Sequence, residues 1–117
     1  MKQIILFTAF IILSWIVSAQ RPCTKPVYRQ FDFWIGEWEA FGLNGAKAGD
    51  SKISLMLDSC TILEEWTSAS LQQGLLFTGK SYNIYNAAKK EWQQYWVDNN
   101  GTIVEYFNGH YEEGKCL

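Results

Sequence analysis

The chain has 117 residues, with 10 Lys and Arg against 12 Asp and Glu and a formal net charge of −2. That balance, with no basic run anywhere, gives no electrostatic basis for binding nucleic acid or an anionic membrane surface. Six Trp, six Tyr and seven Phe must supply much of the apolar area of a domain this small, which buries only about 60–70% of its unfolded surface.

In chain order, one cation, Lys2, precedes an apolar run from Ile4 to Val17 broken only by Thr8 and Ser14, and Val17-Ser18-Ala19 leads into Gln20. This pattern predicts a signal peptide over 1–19, cleaved after Ala19, and hence an exported protein, periplasmic or secreted. The run is short of the roughly 20 apolar residues that cross a bilayer and no basic stop-transfer cluster follows it, so no stable membrane insertion is expected after cleavage. Gln20 stands where a lipoprotein needs Cys. Cys23, Cys60 and Cys116 meet an oxidising compartment in that case. Three cysteines allow at most one internal bridge, and the pairing stays open. With no CxxC and no neighbouring His, no metal site and no cofactor is expected.

Residues 20–30 hold both prolines, Pro22 and Pro26, and read as an extended leader to a domain over 31–117. Phe31-Asp32-Phe33-Trp34-Ile35 is too apolar for a loop and too short for a long helix, which predicts one helical turn tucked under a sheet. Gly36 then releases the chain into a strand over 37–43, Asn44-Gly45 turns it, and 46–49 widen the connection. Over 52–58 Ile53, Leu55 and Leu57 alternate with Lys52, Ser54 and Asp58, the mark of a half-buried strand. A second strand follows over 61–68, with Ile62, Glu64 and Trp66 on one face and Leu63, Glu65 and Thr67 on the other. Segments 75–85, 91–98 and 102–108, rich in aromatic and β-branched residues, make three more.

The short connections 86–90 and 99–101 force antiparallel neighbours, so the fold is an all-β antiparallel meander. If Tyr85 faces Trp92, then Asn83 faces Gln94, Ser81 faces Trp96, and Tyr82 faces Tyr95 on the opposite side. The second turn leaves two registers: a two-residue Asn-Gly loop sets Glu105 against Trp96, whereas a three-residue loop with a glycine bulge sets Val104 there. A slip of one residue inverts every side chain, so local patterning leaves the face of Glu105 open. His110 to Gly114 reads as a turn and Lys115-Cys116-Leu117 as the start of a strand. Closed barrels usually take about eight strands or more, which predicts further strands beyond Leu117, or a partner chain, a second copy included, on the last edge.

Phe31 to Trp38 (FDFWIGEW) resembles the opening of lipocalin-like (calycin) barrels through its Gly36-x-Trp38 step after a helical turn. Together with Leu63-Glu64-Glu65-Trp66, Gly79-Lys80-Ser81-Tyr82-Asn83 and Trp92-Gln93-Gln94-Tyr95-Trp96-Val97-Asp98, it resembles a family of exported bacterial proteins of unknown function. The resemblance implies a lipocalin-like barrel or partial barrel with a cavity for a ligand, structural work for Trp34, Gly36 and Trp38, with Trp38 closing the barrel base, and no catalytic residues. The haem-binding calycin nitrobindin opens similarly, but its glycine-rich continuation is missing after Trp38, so no haem site follows.

Trp66, Tyr82, Tyr95 and Trp96, with Gln94 and the acids Glu64 and Glu105, are the candidate ligand-contacting residues, because pockets combine aromatic walls with a few placed polar groups. The competing reading is that the rings are core, which a small domain needs at about 25 cal/mol per Å² buried. Glu64 and Glu65 point apart on a strand, so they cannot form a glycosidase pair. Whichever faces inward needs a partner, for which Lys80 or Tyr82 are the candidates. His110, the sole histidine, sits in a turn with no nucleophile motif around it, and Asn100-Gly101-Thr102 reads as turn chemistry before it reads as a glycosylation site. The function expected is a non-enzymatic binding module for a small apolar or amphipathic ligand, with an edge-pairing interaction module or an envelope carbohydrate-active enzyme as alternatives.

Overall fold

A computed structural model describes residues 21–113. Six strands, β1 (Gly36–Phe41), β2 (Lys47–Met56), β3 (Thr61–Gln72), β4 (Leu75–Asn86), β5 (Glu91–Asp98) and β6 (Ile103–Gly109), lie side by side in chain order. Every neighbouring pair is antiparallel. The sheet is open, with β1 and β6 as its edges among the described residues, so the all-β meander forms as a partial barrel. The predicted signal peptide and the predicted strand at 115–117 lie outside the described residues.

β2 and β3 run longer than their hydrophobic patterns suggest, whereas β1 stops at Phe41, short of the expected Leu43. Leu57 and Asp58, expected on the strand over 52–58, lie in the turn after Met56 with positive φ. Residues 47–49, expected in the connection, belong to β2, because Gly49 and Asp50 pair with Ala40 and Glu39. β3 continues past Ser68 to Gln72 and returns through the tight turn Gln73-Gly74. The second register question is decided by Asp98. Its Oδ1 accepts from the N–H groups of Asn100 and Thr102, Gly101 adopts φ +79°, and the resulting three-residue loop sets Trp96 opposite Val104 and Tyr95 opposite Glu105.

Cross-strand partners share a face, so the register sorts the side chains into rungs. One face carries Tyr85 and Trp92, then Leu55-Ile62-Asn83-Gln94-Tyr106, then Ile53-Glu64-Ser81-Trp96-Val104, then Ser51-Trp66-Gly79-Asp98. The N-terminal segment covers the first rungs of this inner face. It is not extended throughout, as the leader reading expects: Pro26–Arg29 form a 3₁₀ turn, since proline at the first position presets φ and its missing N–H is no loss there. A second 3₁₀ turn, Asp32–Trp34, is the predicted helical turn. Gly36 follows at φ +144°, a backbone open to glycine and costly for other residues.

Cys23 and Cys60 form a disulfide, which ties the leader to the β2–β3 turn. Arg29 donates to the Ser59 carbonyl beside it. Trp92 Nε1 donates to Gln30 Oε1 at 3.0 Å, and Tyr28 meets Tyr85 edge-on. The core beneath is small: Ile53, Ile62 and Trp92 are buried, with Phe31, Trp34, Leu55 and Tyr85 packed against them. Trp38 closes no barrel base, since none exists among the described residues. It is about half exposed (48%) and ties β1 to the second 3₁₀ turn by donating from Nε1 to the Trp34 carbonyl at 2.6 Å.

Candidate functional site

At the β6 side of the inner face lies a cleft of about 500 Å³. Phe31, Trp34 and Trp92 wall it on the N-terminal side, the rung Asn83-Gln94-Tyr106 supplies its floor, and Asn108, Gly109 and His110 form its rim. The walls come from two distant parts of the chain. Phe31 stands edge-on to Trp92 with ring centroids 4.9 Å apart and to Tyr111 at 5.6 Å, arrangements that suit the ring quadrupoles.

The rim owes its shape to a β-bulge. Trp92 pairs with Gly109 but Gln94 pairs with Tyr106, so β6 carries one extra residue, and Asn108 takes a left-handed conformation at φ 59°. A bulge bends the strand and re-aims its side chains. Gly109 then packs so closely that a Cβ there would stand 2.8 Å from the Trp92 carbonyl oxygen.

Behind the floor the inner face is polar rather than dry, contrary to the expectation of a ring-lined interior. Ser81 is fully buried and Ser51 nearly so, and their hydroxyls donate to Glu64 Oε2 at 2.7 Å and Oε1 at 3.1 Å. Asn83 Nδ2 donates to Ser81 Oγ at 3.0 Å and to the Ile62 carbonyl at 3.2 Å, and Gln94 Nε2 donates to Ser81 Oγ at 3.2 Å. The inward acid therefore finds its partners in two serines. Lys80 pairs with Glu65 on the other face, Nζ to Oε1 at 2.5 Å; this ion pair holds the Glu65 carboxyl below and the Lys80 ammonium above their usual ranges.

At the far end of the inner face the same arrangement occurs twice. Trp66 lies over Gly49 and donates to Ser68 Oγ at 3.2 Å; Trp96 lies over Gly79 and donates to Asp98 Oδ2 at 2.9 Å. Each indole covers a glycine on the preceding strand and bonds the residue two places on. The Trp96 bond, with the turn N–H groups of Thr102 and Asn100, lowers the Asp98 carboxyl below its ordinary range.

The seven candidate residues therefore separate. Gln94 lines the cleft, and Glu64 stands behind it through Ser81. Trp66 and Trp96 sit on their glycines away from the cleft. Tyr82, Tyr95 and Glu105 lie on the opposite face, where Tyr95 meets Phe107 edge-on at 6.1 Å and donates to Gln93 Oε1. Gln93 in turn donates to Glu91 Oε1 at 2.7 Å, which lowers the Glu91 carboxyl. No cluster of three metal-ligating side chains occurs among the described residues. Missing from the candidate set were Asn83 and Tyr106 of the floor and Phe31 of the wall. Asn83 was within reach, since the β4–β5 register already set it against Gln94; the bulge that brings Tyr106 there has no clear signal in the sequence. No protein-family model, curated protein or solved structure matches the chain.

Proposed function

We propose that this chain is a non-enzymatic, exported, lipocalin-like binding module that holds a small amphipathic molecule in the inner-face cleft. The observation that carries the reading is the cleft itself: about 500 Å³, with aromatic rings on its walls and two carboxamides in its floor. That size and composition suit a ligand whose apolar body is buried while a few polar groups fix its orientation. Export is supported by the signal-peptide pattern over 1–19 and by the Cys23–Cys60 bridge, which persists in an oxidising compartment.

The test is a titration of the disulfide-bonded protein with 2-naphthol, followed by calorimetry. Saturable binding that disappears in a folded Gln94→Trp variant, whose indole fills the floor, is expected. Equal binding by that variant, or none by either protein, overturns the reading. N-terminal sequencing of the exported protein is expected to begin at Gln20.

A second reading rests on the open edge. Among the described residues β6 has no partner on its outer side, and Ile103, Tyr106 and Phe107 along it are exposed, so a second copy could add through strand pairing. The bulge at Asn108 works against it, because a twisted edge pairs poorly. Sedimentation that gives a monomer at all concentrations would dismiss this second reading.

A further inference from the structure

The polarity of the cleft floor is set from behind by Glu64. A carboxylate has only acceptors. Ser81 therefore spends its single hydroxyl hydrogen on Glu64 Oε2 at 2.7 Å, and Ser51 does the same toward Oε1. With its hydrogen committed, the fully buried Ser81 oxygen can only accept from its other neighbours, and both carboxamides that reach it do so through their NH₂ groups, Asn83 at 3.0 Å and Gln94 at 3.2 Å. Asn83 Nδ2 also reaches the Ile62 carbonyl, another pure acceptor. Each amide then has its carbonyl oxygen left over, and Gln94, whose Nε2 makes only the one bond to Ser81, keeps a single N–H besides. In every side-chain bond that Asn83 and Gln94 make to Ser81 and Ile62 it is the NH₂ group that is engaged and not the carbonyl oxygen, and both residues line the cleft.

We infer that the cleft selects ligands carrying hydrogen-bond donors, hydroxyl or N–H groups on a planar apolar body, because Glu64 and Ser81 hold the Asn83 and Gln94 carbonyl oxygens as acceptors toward it. This rests on the binding function proposed above and names the ligand class of that same cleft. Glu64 and Ser81 are positioning residues that touch no ligand; Asn83 and Gln94 make the contact. A ligand offering acceptors alone would meet at most the one remaining Gln94 N–H and would leave both floor oxygens unpartnered, and a buried polar group without its partner is costly.

The experiment compares 1,3-dihydroxynaphthalene with 1,3-dimethoxynaphthalene by calorimetry on the disulfide-bonded protein. The diol is expected to bind at least about tenfold more tightly, the factor typical of losing one hydrogen bond. In Glu64→Gln the new NH₂ group donates to Ser81, frees the hydroxyl hydrogen and lets an amide turn over, so the preference should shrink below about threefold. Glu64→Asp should restore it. Ser81→Ala, which removes the shared acceptor, should also abolish it and serves if Glu64→Gln does not fold. Equal binding of the two probes overturns this inference while leaving the cleft as a binding site. Binding of neither overturns both. A diol preference unchanged in Glu64→Gln and in Ser81→Ala overturns the positioning role.

Discussion

Gly79→Ala tests the packing of the inner face at the point where it has least room. Gly79 has an ordinary strand backbone, so its reason for being glycine is space: a Cβ there would stand 2.2 Å from Trp96 Cζ2 and 2.4 Å from Cη2, against an ordinary contact of roughly 3.5–4 Å. The indole must move by more than an ångström, and Nε1 then loses its 2.9 Å bond to Asp98 Oδ2. Overpacking costs about 1–3 kcal/mol and a half-exposed hydrogen bond to a carboxylate about 1.5 kcal/mol. Replacing a strand glycine by alanine returns about 0.5–1 kcal/mol. The net loss expected is about 1.5–4 kcal/mol, a fall in Tm of roughly 6–30 °C for a domain of this size. In a Trp96→Ala background the obstacle is gone, and Gly79→Ala should be neutral or slightly stabilising. Urea unfolding of the four proteins completes the cycle. Equal cost of Gly79→Ala in both backgrounds would refute the reasoning, since the ring would not be what the methyl group meets.

Removing the bridge with Cys23→Ser and Cys60→Ser opens a loop of 37 residues and should cost about 4 kcal/mol by the loop-closure relation; urea unfolding checks it, and a loss below about 1 kcal/mol would mean the leader is held by its other contacts. The bridge also pins a turn in which Leu57, Asp58 and Ser59 all have positive φ, a conformation that costs non-glycine residues about 1 kcal/mol each. Asp98→Asn keeps the turn acceptor but removes the charge. Because the folded state lowers the Asp98 carboxyl below its ordinary 3.8, the ionised group stabilises the fold above that pH and the benefit is lost as pH falls further. The gap in Tm between the parent and Asp98→Asn should therefore be full at pH 7 and narrow below about pH 4; a gap constant down to pH 2 would contradict this.

Strand identity and most of the pairing were legible because they follow from local rules. Alternation over 52–58 and the short connection at 86–90 set Tyr85 against Trp92 and Asn83 against Gln94, as found. Glu105 was not legible, because two turn geometries fit Asn99-Asn100-Gly101 equally well until the Asp98 carboxylate captured the backbone N–H groups of the turn. The inward acid, Glu64, is not partnered by Lys80 or Tyr82, both one residue out of phase with it on β4. Its neighbour across the strands is Ser81, a residue too small to attract attention in a sequence so rich in rings.

Period-two patterning and turn chemistry act between residues close along the chain, so the sequence by itself determined an antiparallel meander of six strands and, across the β4–β5 turn, which side chains share a face. The tertiary structure alone decided where that face is apolar and where it is polar. The cleft arises where Phe31 and Trp34, brought back by the Cys23–Cys60 bridge, stand over Trp92 and a bulged β6. Those contacts join segments some sixty residues apart, as in the Gln30–Trp92 hydrogen bond, and no local periodicity encodes a meeting at that distance.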